Sequence, residues 1–98
     1  MALSITNNQG ILEINGNFIG KNAINVQKHF EQLLTQGERI IMSVDHVKKI
    51  DRSGVNALTS LHKKAMKLNK ILCIIGQDNK KIAKAFGRNN YILRRDFV

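Results

Sequence analysis

Residues 40–61 read IIMSVDHVKKIDRSGVNALTSL, and the organisation of the whole chain follows from this stretch. Ile40, Ile41, Met42, Ser43 and Val44 form a short, continuous, mainly apolar run, which predicts a central strand covered on both faces. After a short loop, a helix is expected to begin near 51–53 and to reach about Leu68. Its apolar residues Val55, Leu58, Leu61, Ala65 and Leu68 recur three or four apart and so share one buried stripe. Asn56, Ser60, Lys63, Lys64 and Lys67 fall on the opposite side.

Upstream, residues 3–6 alternate Leu-Ser-Ile-Thr, the period of a half-buried strand, and a second strand follows over 11–14. Asn7-Asn8-Gln9-Gly10 between them is turn chemistry, so a hairpin is expected. Over 22–36 the residues Ala23, Val26, Phe30, Leu33 and Leu34 lie on one face of a first amphipathic helix, which Gly37 is placed to close. Downstream, residues 71–75 (ILCII) predict another buried strand, with Cys73 as a small buried hydrophobe. Asp78-Asn79 can cap a third helix with Ile82, Ala83 and Phe86 on its apolar side and Gly87 at its end, and 91–93 predict a last strand. The expected order is β-β-α-β-α-β-α-β, an α/β fold with a mixed sheet flanked by amphipathic helices.

At 98 residues the chain is expected to form one domain over 1–98, hiding only about two thirds of its unfolded surface. There is no Pro or Trp, no repeat and no linker composition. The start is polar by its fourth residue, unlike a signal peptide, and no apolar run approaches the roughly 20 residues of a membrane span. A cytoplasmic location is expected. Charge is unevenly divided within the net +9: residues 1–49 hold five Lys/Arg against four acids, residues 50–98 eleven against three. Such a field suits an acidic protein, a nucleic acid or an anionic membrane, without choosing among them.

His29, His46 and His62 are far apart and there is a single Cys, so no zinc spacing exists and neither metal nor cofactor is expected. Neither a P-loop nor a Gly-x-Ser-x-Gly elbow occurs, and nothing in the sequence points to catalysis. The aromatic residues Phe18, Phe30, Phe86, Tyr91 and Phe97 fall mostly on expected core positions. Without rings interleaved among the lysines, nucleic-acid recognition has little support.

The strand, loop and Asp51-Arg52-Ser53-Gly54 turn opening a helix resemble the signature of the STAS family, in particular the bacterial anti-sigma-factor antagonists. Ile14-Asn15-Gly16-Asn17-Phe18 resembles that family's apolar-x-Gly-x-Leu at the end of its second strand. Residues 70–76 and 80–93 resemble its later strand, third helix and last strand, so the likeness covers nearly the whole chain apart from a final helix that many members carry. It implies the STAS fold and a non-catalytic, regulatory, protein-binding role in transcription control and signal transduction. The implied partner is an anti-sigma factor of the serine-kinase type, or another acidic protein. Docking would use the 50–57 loop and the exposed helix side: Asp51, Arg52, Ser53, Gly54, Asn56, Ser60, Lys63, Lys64 and Lys67, with the lysines of the third helix contributing less.

The family's switch is a phosphorylated hydroxyl directly after the Asp of that turn, where this sequence has Arg52. Arginine cannot accept that phosphoryl group. Ser53 remains as a hydroxyl in the turn, either as a helix cap or as a phosphosite. Two further departures are Ser43, where an acid or amide is common, and Ile19, where the antagonists carry an acid. Arg52 itself is either solvated or paired with Asp51, or else it points at an acidic group of a partner and makes docking constitutive. Two alternatives stand beside this reading. One is a STAS subunit of a lipid-transport ABC ATPase, peripheral to a membrane; the other is nucleic-acid or anionic-membrane binding by the basic half.

Overall fold

In the computed structural model, which describes residues 3–37 and 39–96, the first hairpin turns on only two residues. Gln9 (φ 54°) and Gly10 (φ 90°) both take positive φ, as a two-residue hairpin whose twist matches its strands requires. Asn7 and Asn8, expected in the turn, instead extend β1 (Leu3–Asn8), which pairs antiparallel with β2 (Ile11–Phe18). There follow α1 (Gly20–Gln36), β3 (Arg39–Ser43), β4 (Val47–Ile50), α2 (Arg52–Lys67), β5 (Ile71–Ile75), α3 (Lys80–Phe86), a 3-10 turn (Gly87–Ile92) and β6 (Leu93–Arg94).

The six strands form one mixed sheet in the order β1-β2-β3-β5-β6. β4 is the element that the sequence reading missed: it was expected to be loop. Strand β2 is long enough to pair with β3 through Ile11–Glu13 and, after a register shift at Gly16, with β4 through Gly16–Phe18. The run 91–93 is corrected likewise. Tyr91 and Ile92 end the 3-10 turn, and the last strand is Leu93–Arg94, against Ile74 and Ile75.

One face of the sheet carries the core. Leu12, Met42, Ile74 and Leu93 are in register across four strands, and they join Phe30 and Leu34 of α1 and Leu58 and Leu61 of α2 in a single apolar cluster. The opposite register row, Ile11, Ile41 and Cys73, lies outside that cluster and is half-buried, and Ile71 is 60% exposed. The apolar runs over 40–44 and 71–75 are therefore fully covered on one face only. Continuous apolarity suggests burial on both sides, but α1 and α2 pack on the same side. For the same reason Cys73 is half-buried rather than enclosed, and burial raises its thiol pKa above the ordinary value.

The helix ends show how local chemistry sets boundaries. α1 stops at Gly37 in an extended conformation (φ −127°), not in the left-handed one expected of a closing glycine. At the end of α2, Asn69 takes φ 58°, its N–H bonding Met66 O and that of Lys70 bonding Ala65 O. This is a Schellman closure with asparagine in the place of glycine. Leu68, expected in the buried stripe, is the C-cap and 38% exposed. Lys70 Nζ reaches Gly37 O at 2.9 Å and ties the two helix ends together.

Candidate partner-binding site

The turn from β4 into α2 is built around Asp51. It is the N-cap of α2: Oδ1 accepts from Gly54 N at 3.0 Å, satisfying one of the amides left unpaired at a helix start. Its second oxygen accepts from Gly20 N at 3.1 Å, the first residue of α1. One carboxylate thus fastens both helix starts, and Ile19, the N-cap of α1, offers no side-chain cap of its own. Ser53, expected as a possible cap, lies half-buried inside the first turn, because Asp51 holds the capping position.

Gly54 is there for space. A Cβ on it would stand 2.5 Å from the carbonyl O of Phe18 and 2.7 Å from Ile50 Cγ1, so α2 approaches the end of β2 with no room for a side chain. Gly16 at φ 101° marks the bulge that lets β2 turn from β3 to β4 and reach this junction. Both glycines serve the backbone here.

Arg52 lies between these fixed residues and is itself exposed, its side chain making no hydrogen bond or ion pair among the described residues. The Asp51 carboxylate is taken up by amides, so a pairing of Arg52 with Asp51 is not found there. Asn56, Ser60, Lys63 and Lys67 continue from Arg52 as an exposed row at helical spacing, while Lys64 is half-buried. Of the expected buried stripe, Leu58, Leu61 and Ala65 are buried, but Val55 is only half-buried and lines a depression between α2 and α3. The structure thus brings 51–54 together in a turn tied by the Asp51 carboxylate and sets Asn56, Ser60, Lys63 and Lys67 along one helix side.

Sequence reasoning missed Ala85 and Asn89 across that depression, and Lys48 and Lys49, which line a neighbouring one with Ile19. The available signal was Asn79, whose Oδ1 caps α3 while its Nδ2 donates to the carbonyls of Val44, Asp45 and Val47. That amide pins α3 beside β4 and brings its lysines toward the turn. On the far side of Lys48 and Lys81 the surface becomes acidic, with Asp45 and Asp78. Burial, then the nearby Asp78, pushes the Asp45 carboxyl up from its ordinary value.

Among the described residues, no three His, Cys, Asp or Glu side chains converge into a cation-holding group, and no helix is long and apolar enough to cross a membrane. The tethered turn, the exposed row and the one-sided sheet make up an α/β module with a row of exposed polar and basic side chains running from the start of α2.

The chain belongs to the STAS domain family, whose model matches residues 1–92. Among solved structures, the anti-sigma factor antagonist SpoIIAA in its unphosphorylated form is similar, with a TM-score of 0.71 and 13% identity over 95% of this chain and 86% of that one. An anti-sigma factor antagonist from Mycobacterium paratuberculosis is similar with a TM-score of 0.64 and 11% identity, over 91% and 80% of the two chains. At these identities the likeness is one of fold. No curated protein sequence matches.

Proposed function

We propose that this chain is a non-catalytic regulatory module that binds a protein partner through the turn 51–54 and the exposed row Asn56, Ser60, Lys63 and Lys67, in the manner of an anti-sigma-factor antagonist. The observation that carries the reading is Arg52: an exposed cation without a partner among the described residues, on a turn that Asp51 and Gly54 hold rigid. A pre-ordered turn loses little entropy on docking, and a fixed positive charge gives register and a faster encounter with an acidic surface. With arginine in the acceptor position, docking is constitutive rather than switched by phosphate. The partner that fits is an anti-sigma factor of the serine-kinase type, in the cytoplasm.

The test is affinity capture with the wild type and with the Arg52→Glu/Lys63→Glu pair, followed by titration of the captured partner. Binding is expected to fall several-fold to about a hundredfold in the variant, with melting nearly unchanged. Incubation with ATP and the captured kinase should leave the wild type unmodified and phosphorylate Arg52→Ser. Phosphate at high stoichiometry on wild-type Ser53 would instead make Ser53 the switch, and a transporter ATPase in the capture would assign the chain to a different complex.

A further inference from the structure

The groove between the docking turn and α3 has a composition that the interface just described does not use. Ile19, Ile50 and Ala85 form an apolar floor in a depression of about 620 Å3, and Lys48, Lys49, Lys81 and Lys84 surround it. A neighbouring depression of about 470 Å3 shares Ile50 and Ala85 and continues past Arg52 and Val55 to Asn89. The two adjoin at those shared residues, and together they make a groove that extends from β4 to the 3-10 turn.

Among the described residues, five cations border this groove and the one acid in its walls is Asp51, whose two oxygens already accept the amides of Gly54 and Gly20. Lys81 Nζ donates to Lys48 O at 3.1 Å, so the α3 side is fastened to β4 with its charge at the rim. The acids Asp45 and Asp78 belong to the next depression, which Lys48 and Lys81 also line, and Asp78 is held by Arg95 at 3.4 Å. They limit the positive region on that side and leave Lys49, Lys84 and Arg52 as its centre.

Clustered like charges repel, and an apolar floor in water is unfavourable; one occupant relieves both. A free phosphate would leave the floor wet. A nucleic acid would need rings for its bases; among the described residues the exposed aromatic side chain, Tyr91, is not in the groove walls, and Phe86, which is, is buried. A flat membrane surface meets a rim more readily than a floor.

We infer that the groove receives an acidic segment of a protein partner, which lays an apolar side chain on Ile19, Ile50 and Ala85 and sets its carboxylates against Lys49, Lys84 and Arg52. The inference rests on the reading of the 51–54 turn as the docking site, and extends that site onto α3, where the sequence had suggested a lesser role.

The experiment is an isotope-edited NMR titration of the whole chain with a blocked amphipathic peptide, glutamates on one face and leucines on the other. Controls are the same peptide with lysine for glutamate, and vesicles of phosphatidylglycerol. Saturable shifts are expected at Ile50, Ala85 and their neighbours with the acidic peptide alone. The Lys49→Glu/Lys84→Glu pair should weaken its binding by about tenfold or more at unchanged melting, and Ala85→Glu, which charges the floor, should do the same. No saturable shift, shifts centred on Lys63 and Lys67, or an equal response to the vesicles would overturn the inference. The two readings separate on the captured partner. If Arg52→Glu/Lys63→Glu abolishes capture and Lys49→Glu/Lys84→Glu leaves it intact, the docking turn stands and the groove falls.

Discussion

Consecutive residues at the start of α2 divide into two groups. Asp51 and Gly54 are committed inwards: the carboxylate holds the amides of Gly54 and Gly20, and the missing Cβ admits the Phe18 carbonyl. Arg52 and Asn56, on the same helix turns, are exposed and their side chains make no hydrogen bond or ion pair among the described residues. The difference teaches that a single turn can be split into a framework half and an exposed half, to which the proposed function assigns recognition, each open to change without the other. Substitutions in the first group should be read in melting, and those in the second in binding.

The largest effect is expected at Gly54. Alanine is the better helix former by about 1 kcal/mol, so propensity alone predicts a gain. Against it stands a Cβ only 2.5 Å from the Phe18 carbonyl oxygen, which forces α2 away from β2. Overpacking costs about 1–3 kcal/mol and occasionally more, and here the obstacle is backbone. A net loss of about 2 kcal/mol is expected for Gly54→Ala, a fall of roughly 10–15 °C in melting for a domain of this size. A variant that melts at or above the wild type would show that the two elements are not in such close contact.

Asp51 comes next, and two substitutions divide its work. Asp51→Ala removes the cap and the bridge to Gly20, for about 1–2 kcal/mol. Asp51→Asn keeps one acceptor oxygen for Gly54 N but turns an amide N–H toward Gly20 N, so it should cost about half as much. Amide hydrogen exchange at Gly20 and Gly54 checks the assignment. Both amides should exchange faster in the alanine variant, and Gly20 alone in the asparagine variant. Equal protection at Gly20 in all three proteins would remove Asp51 from the start of α1.

How far the sequence foretold this junction depends on the range of the interactions. Helical periodicity located α1, α2 and α3, and the Asp-x-Ser-Gly turn located the start of α2, because caps and amphipathic stripes act over three or four residues. The bond from Asp51 to Gly20 spans 31 positions and left no local trace. The same holds for β4: its Val-Lys-Lys-Ile carries no alternation, and it is a strand because β2 is long enough to pair with two partners in succession. Covering of the sheet was misjudged for a related reason. The runs 40–44 and 71–75 are apolar on both faces, and only the packing of α1 and α2 on one side decides which face is enclosed. The groove beside Arg52 was not legible, since its walls come from β4, α2 and α3 and meet only when Asn79 docks α3 on β4.

A smaller effect, of opposite sign, is expected far from the junction. Gln9 occupies φ 54° in the hairpin turn, a region that asparagine tolerates better, and it is followed by glycine. Gln9→Asn creates the favoured Asn-Gly pair and should stabilise by about 0.5 kcal/mol, or a few degrees, without touching the docking turn. Its use is as a reference. Partner binding should be identical to the wild type, so a change in affinity would mean that stability by itself alters docking and that the two halves of the comparison are not independent.

The smallest effect on stability, and the sharpest on the comparison, belongs to Arg52→Glu as a single substitution. A cation in the first turn of a helix opposes the positive end of its dipole, and an anion there is favourable by about 0.3–1 kcal/mol, with exposed sites at the low end. Arg52 is exposed and has no partner to lose among the described residues, so the variant should melt no lower than the wild type and up to about 2 °C higher. Its partner affinity should nevertheless fall. The deficit should shrink as salt is raised, because charges at a wet rim are screened over about 10 Å at 0.1 M and about 3 Å at 1 M. A drop in melting comparable to that of Asp51→Ala would place Arg52 in the framework half and dissolve the division. Unchanged affinity at low salt, with melting preserved, would leave the framework half as described and move recognition away from this turn.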